Sequence, residues 1–173
     1  MSPPSAAAAA SSDTSAHPPV GRAACWLPRL VALLALWHLG VVAVVMALRL
    51  GYPFELEWME GGMLDHVLRL RHGLPLYGPP SLDFIPYVYP PLYHYVVWMA
   101  GLVVGHGFLV GRAISVVATL GSALLVAWMA ARTSERRVQG LLAAGCLAGL
   151  YPVTGYWFDL VRVDTLQIGR AHV

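Results

Sequence analysis

The sequence predicts an all-α integral membrane chain, a helical bundle of about three transmembrane spans with further helices lying along the membrane surface. Three observations carry that class. The chain is 58% hydrophobic and only 12% charged. Its mean hydropathy is +0.63, far above a soluble domain's usual value. Its apolar residues gather in runs close to the ~20 residues that cross a hydrocarbon core.

A net charge of +2 with no basic run excludes a nucleic-acid surface. All 11 basic residues are Arg, with no Lys and no Asn, a usage that points to a GC-rich, bacterial coding sequence. Cys25 and Cys146 lie before one span and inside another, without CxxC or Cys/His spacing, and read as free structural thiols.

Residues 1–21 are rich in Ala, Ser and Pro, cannot bury a core, and are expected to form a disordered cytoplasmic tail. Residues 22–167 are the membrane domain. The first span is LVALLALWHLGVVAVVMAL, Leu30–Leu48, uncleaved because it is too long for a signal-peptide core and no small-x-small site follows. Arg22 and Arg29 place its N-terminus in the cytoplasm. Further spans are read at Ala113–Ala131 and Val138–Trp157, the latter with Gly145, Gly149, Ala144 and Ala148 spaced for close helix packing. The apolar stretch Pro91–Gly105 is short and contains His94. Keeping Arg132, Arg136 and Arg137 in the cytoplasm requires it to lie on the membrane rather than cross it.

That topology makes residues 49–112 an outer loop with surface helices at 58–72 and 91–105. It also puts Glu55, Glu57, Glu60, Asp65, Asp83, Asp159 and Asp164 on one, extracytoplasmic side. In the first of these helices Met59, Met63, Leu64, Val67, Leu68 and Leu70 fill an apolar arc, with Asp65, His66, Arg69 and His72 opposite. Such a helix lies flat on the bilayer, and Asp65 with Arg69 has the spacing of a surface ion pair. Glu60 breaks the pattern by projecting into the apolar arc. Two readings follow: a helix cap ahead of Gly61 and Gly62, or a desolvated carboxylate whose raised pKa makes it a base.

Between residues 74 and 95 six prolines forbid a regular helix. Tyr77, Tyr87, Tyr89, Tyr93 and Tyr95 interleave with them, as an interfacial aromatic belt or as a wall for stacking sugars. After the last span comes FDLVRVD, with Asp159, Arg162 and Asp164. Ionisable residues so close to a membrane mark function or a partner charge.

An acidic motif after the first span, HGLPLY, YPPLY, GRAIS opening a span, and a late D-x-x-R-x-D occur in that order over about Leu30–Gln167. Together they resemble the N-terminal portion of the GT-C-fold membrane glycosyltransferases. These include protein O-mannosyltransferases, lipid A aminoarabinose transferases and lipopolysaccharide-core galacturonosyltransferases. The resemblance implies sugar transfer from a polyprenyl-phosphate-linked donor to an extracytoplasmic lipid, glycan or protein, by a multi-pass protein of the bacterial inner membrane. It implies that Glu60 in WMEGG matches the Glu of the family's acidic pair, with Met59 where the Asp stands and Glu57 as the compensating carboxylate. Asp164 matches an acidic position of the second outer loop, with Asp159 nearby. Tyr89 occupies the place of a phosphate-binding Lys, which leaves Arg71, Arg112 or Arg162 for the phosphate. No organic cofactor is implied, and a divalent metal stays open.

The terminal IGRAHV back-translates to a common short-read sequencing adapter, so Ile168–Val173 are expected to be an assembly artefact on a fragment inactive alone. Two other classes compete, a polytopic transporter or flippase subunit that binds substrate or protons on these carboxylates, and a small membrane scaffold with solvated acids.

Overall fold

The computed structural model describes residues 23–134 and 136–164, so the tail at 1–21 and the segment 168–173 lie outside the described residues. Five helices follow in order, α1 (Ala23–Leu50), α2 (Met59–Arg71), α3 (Leu92–Val104), α4 (Phe108–Ser134) and α5 (Arg137–Gly149). The described residues form no strand, and the all-helical expectation holds. Among the described residues two helices are long and apolar enough to cross a membrane, Trp26–Leu50 within α1 (25 residues) and α4 (27 residues). Their large apolar side chains point outward, among them Leu33, Trp37 and Leu48 on α1 and Val117, Leu124 and Trp128 on α4.

The helices expected at 58–72 and 91–105 fall within one residue of those boundaries, as α2 and α3. Two other boundaries need correction. GRAIS belongs to α4, which begins at Phe108, so Arg112 sits in its second turn rather than at the end of a loop. The third span, expected over Val138–Trp157, is helical only as far as Gly149. Thirteen residues rise about 20 Å, short of the ~30 Å hydrocarbon core. Pro152 stops the helix, because it lacks an N–H and disfavours helical geometry at Tyr151. Gly155 and Tyr156 then take left-handed φ of 71° and 62°, and the chain runs on through hydrogen-bonded turns.

Of the small residues whose spacing suggested packing, Ala144, Gly145 and Ala148 are buried, whereas nothing lies within 4 Å of a Cβ built on Gly149. A Cβ on Gly145 would overlap Ala35 of α1, with its Cα at 2.7 Å, and one on Gly140 would meet the Ala127 carbonyl of α4 at 2.5 Å. α5 therefore wedges against both long helices. A core of Met63 and Val67 (α2), Tyr93 and Val97 (α3), Val110 (α4) and Val161 with Val163 joins α2 and α3 to the last segment. A second cluster packs Met46 of α1 on Tyr151 and Phe158.

On α2 the buried residues are Met59, Glu60, Met63, His66 and Val67. His66, expected on the polar arc, is buried because loop residues cover that side. Arg69 does not pair with Asp65. It donates to the Pro75 carbonyl at 3.1 Å and lies 3.8 Å over the Phe84 ring.

Candidate functional site

Where α1 ends and α4 begins, three arginines and four carboxylates assemble into one charged layer. Its centre is Glu60, fully buried in the first turn of α2. Oε1 accepts from Arg112 Nε at 2.9 Å and from the Val161 N–H at 3.0 Å. Oε2 accepts from Arg112 Nη2 at 2.6 Å and from the Leu56 N–H at 2.8 Å. Four bonds fill a carboxylate's acceptor capacity.

Arg112 is equally saturated. Beyond Glu60 it donates from Nη1 to the carbonyls of Arg49 (3.1 Å) and Tyr52 (2.6 Å), and from Nη2 to that of Phe54 (2.7 Å). All five guanidinium N–H groups are thus engaged. The Arg49 carbonyl, in the last turn of α1, also accepts the Tyr52 N–H at 3.1 Å, so Arg112 adds a second donor there, closes the following loop and anchors α2.

The raised pKa expected of Glu60 is therefore corrected. Burial alone would raise it. The Arg112 hydrogen bonds, the Leu56 and Val161 N–H groups and the Arg112 charge outweigh burial and hold the carboxyl below its usual range. Nor does Glu60 cap its own helix: Trp58 holds the N-cap position with no side-chain cap bond, and the Met59 N–H goes to Glu57 Oε2 at 3.1 Å. Arg112, a candidate for phosphate, has no donor left for one.

The second cluster joins Glu57, Arg162 and Asp164. Arg162 donates from Nη1 to Glu57 Oε2 at 3.3 Å and from Nε to Asp164 Oδ2 at 2.8 Å, with its guanidinium 4.0 Å over the Trp157 ring. Asp164 has a side chain 47% exposed. Of the three arginines Arg162 alone pairs with a half-exposed carboxylate, so it is the one whose partners an incoming anion can replace.

The third cluster is built on Asp159. Its Oδ1 accepts from Tyr151 OH at 2.6 Å and from Arg49 Nη1 at 3.1 Å. Arg49 also reaches Tyr151 OH and the Tyr156 carbonyl. Asp159 is buried, its Oδ2 has no partner among the described residues, and burial raises its pKa despite the Tyr151 hydrogen bond and Arg49 charge. The sequence reading missed Arg49 and Tyr151. An arginine at the end of the first apolar run was the available signal for Arg49; nothing local marked Tyr151.

Two expected residues stay apart. Arg71 is exposed in the last turn of α2. Tyr89 packs by its hydroxyl near Met59 Sδ and accepts the Tyr77 hydroxyl on its carbonyl. A buried pair of imidazoles also went unnoticed. The Tyr87 N–H donates to His66 Nε2 at 2.9 Å, so Nδ1 carries the proton and donates to the Gly62 carbonyl at 2.7 Å. His94 lies 5.3 Å from His66, fully buried, with neither nitrogen partnered among the described residues.

Among the described residues no three His, Cys, Asp or Glu side chains converge as a metal-ligand set. Compared with protein-family models, curated proteins and solved structures, the chain has no significant match.

Proposed function

We propose that this chain carries the front part of a GT-C-type membrane glycosyltransferase, which moves a sugar from a polyprenyl-phosphate carrier to an acceptor hydroxyl at the membrane face. The observation that supports it best is the meeting of Glu57, from the loop before α2, with Arg162 and Asp164, from the segment after α5. Two motifs far apart in sequence thereby bring a carboxylate and a guanidinium side by side under the half-exposed Asp164. The order of motifs and the two membrane-length helices agree with the same reading.

In this reading Glu57, engaged through Oε2 alone, takes the proton from the acceptor hydroxyl as its oxygen attacks the anomeric carbon. The sugar–phosphate C–O bond breaks, and the phosphate leaves with the electron pair. Arg162 stabilises that charge by exchanging a carboxylate partner for phosphate oxygens. Glu60 and Arg112 act as the frame that sets Glu57 in place.

The test is sugar transfer from a polyprenyl-phosphate donor by membranes carrying the full-length protein. Glu57→Gln is expected to abolish transfer at unchanged protein level, and Arg162→Lys to weaken it severely. Wild-type turnover by Glu57→Gln would sink the assignment, and donor translocation without transfer would favour a flippase.

A further inference from the structure

We propose that the segment 75–91 is a proton-released strap, held across α2 by the neutral imidazole of His66, whose protonation lets the strap lift from the side of the helix that leads to Glu57. The latch stands on geometry alone. That it governs access to a catalytic carboxylate rests on the function proposed above.

The strap is closed on itself. The Tyr77 hydroxyl donates to the Tyr89 carbonyl, and Ser81 and Phe84 exchange backbone hydrogen bonds at 2.9 and 3.4 Å. It crosses α2 over Gly62, where the Tyr87 ring occupies the space a Cβ would need. Trp58 meets that ring edge-on at 6.3 Å, and His66 stacks on it at 5.4 Å, 12° from parallel. Positions 58, 62 and 66 follow one another along one face of the helix.

Two α2 side chains hold the strap in different ways. Arg69 donates to the Pro75 carbonyl at 3.1 Å and covers the Phe84 ring. A guanidinium keeps its donors at every working pH, so this contact is the pivot. His66 holds the Tyr87 end, accepting the Tyr87 N–H on Nε2 at 2.9 Å while Nδ1–H donates to the Gly62 carbonyl at 2.7 Å. A backbone N–H only donates, so Nε2 must keep its lone pair for this bond to exist. A proton there sets N–H against N–H and turns the latch into a repulsion.

The groups around His66 favour its action as the switch. His94 faces it from α3, and burial with His66 beside it lowers the His94 pKa to about 4, so His94 does not take the first proton. Asp65 of α2 and Asp83 of the strap line one cavity with Phe84 and Tyr87, and supply counter-charge to an imidazolium once the strap lifts. Arg69 opposes that charge, but it is engaged with Pro75 and Phe84. The Tyr87 hydroxyl stays protonated, its pKa raised by burial and then by the Glu57 and Asp65 charges, an influence that also places this end of the strap beside Glu57. An imidazole in water takes a proton near pH ~6.5. Below that, one proton taken up on opening multiplies the open-to-closed ratio by up to about tenfold per pH unit.

Pulsed EPR distances in the full-length protein, in membranes and in a background without other cysteines, test the latch. The spin labels are placed at exposed Val88→Cys, next to Tyr87, and at Leu124→Cys on α4, which Arg112 ties to α2 through Glu60. From about pH 8 to about pH 5 a second, displaced distance is expected to grow reversibly in the wild-type background. His66→Gln is expected to give one distribution at both values. Tyr87→Pro, which lacks the N–H, should give the displaced distance at both, whereas Tyr87→Phe should respond like the wild type; this pair decides the matter if His66→Gln does not fold. A wild-type distance that ignores pH overturns the proposal, as does a full response in His66→Gln or in Tyr87→Pro. Absence of sugar transfer while the distances behave as described would remove the proposed function and leave the latch standing.

Discussion

Arg112 grips Glu60 with two parallel hydrogen bonds, Nε to Oε1 at 2.9 Å and Nη2 to Oε2 at 2.6 Å, and both side chains are fully buried. Removing one partner strands the other charge away from water. Glu60→Ala or Arg112→Ala alone is expected to cost about 3–5 kcal/mol. The double variant should lose clearly less than the sum, because the stranded charge is then absent. Thermal unfolding of the purified protein in detergent measures both. A Glu60→Gln variant with an unchanged midpoint but no activity would return Glu60 to the role of base.

The same pair sets an acid limit. Glu60 is held below its ordinary value of 4.5, so the ionised form is favoured by the fold. Its contribution is fully present above 4.5 and is lost as pH falls through the lowered folded value. The midpoint of the wild type is expected to drop as the medium is acidified below 4.5, and that of Glu60→Gln to drop less. Parallel curves for the two proteins would contradict the assignment.

His94 acts in a different window. Burial, reinforced by His66 beside it, lowers its pKa from 6.5 to about 4, so the fold holds the imidazole neutral. The unfolded chain binds the proton more readily, and stability falls as pH is lowered from 6.5 toward 4. His94→Phe removes this titration and is expected to flatten the midpoint between those values. An unchanged slope would show that His94 is not the group responsible.

Apolar run length made the long helices and α3 readable in sequence, and the helical spacing of apolar and polar residues did the same for α2, because each signal is local. The end of α5 was less legible. Hydropathy continues through LYPVTGYW, and a window average outweighs the single Pro152 that breaks the helix. At the site, sequence brought out Glu57, Glu60, Arg162 and Asp164 as types but not their partners. Glu60 reads as a stray acid in an apolar arc because Arg112, which neutralises it, lies 52 residues away. His66 reads as surface because the loop carrying Tyr87 folds over it. What a carboxylate does depends on its donors, and those arrive through tertiary contacts.

The contact between α1 and α5 offers a test of the bundle itself. A Cβ at Gly145 would lie 2.7 Å from the Ala35 Cα, and backbone on a packed helix cannot yield as a flexible side-chain end does. Gly145→Ala is expected to force the helices apart and to cost about 1–3 kcal/mol, despite alanine's better helix propensity. Gly121 on α4 provides the contrast, since nothing lies within 4 Å of a Cβ built there. Gly121→Ala should keep or slightly raise the midpoint, because the propensity gain meets no steric opposition. If both variants behave alike in thermal unfolding, α5 does not pack on α1 through Gly145. The route that brings Asp159 to Arg49 would then have to be sought elsewhere.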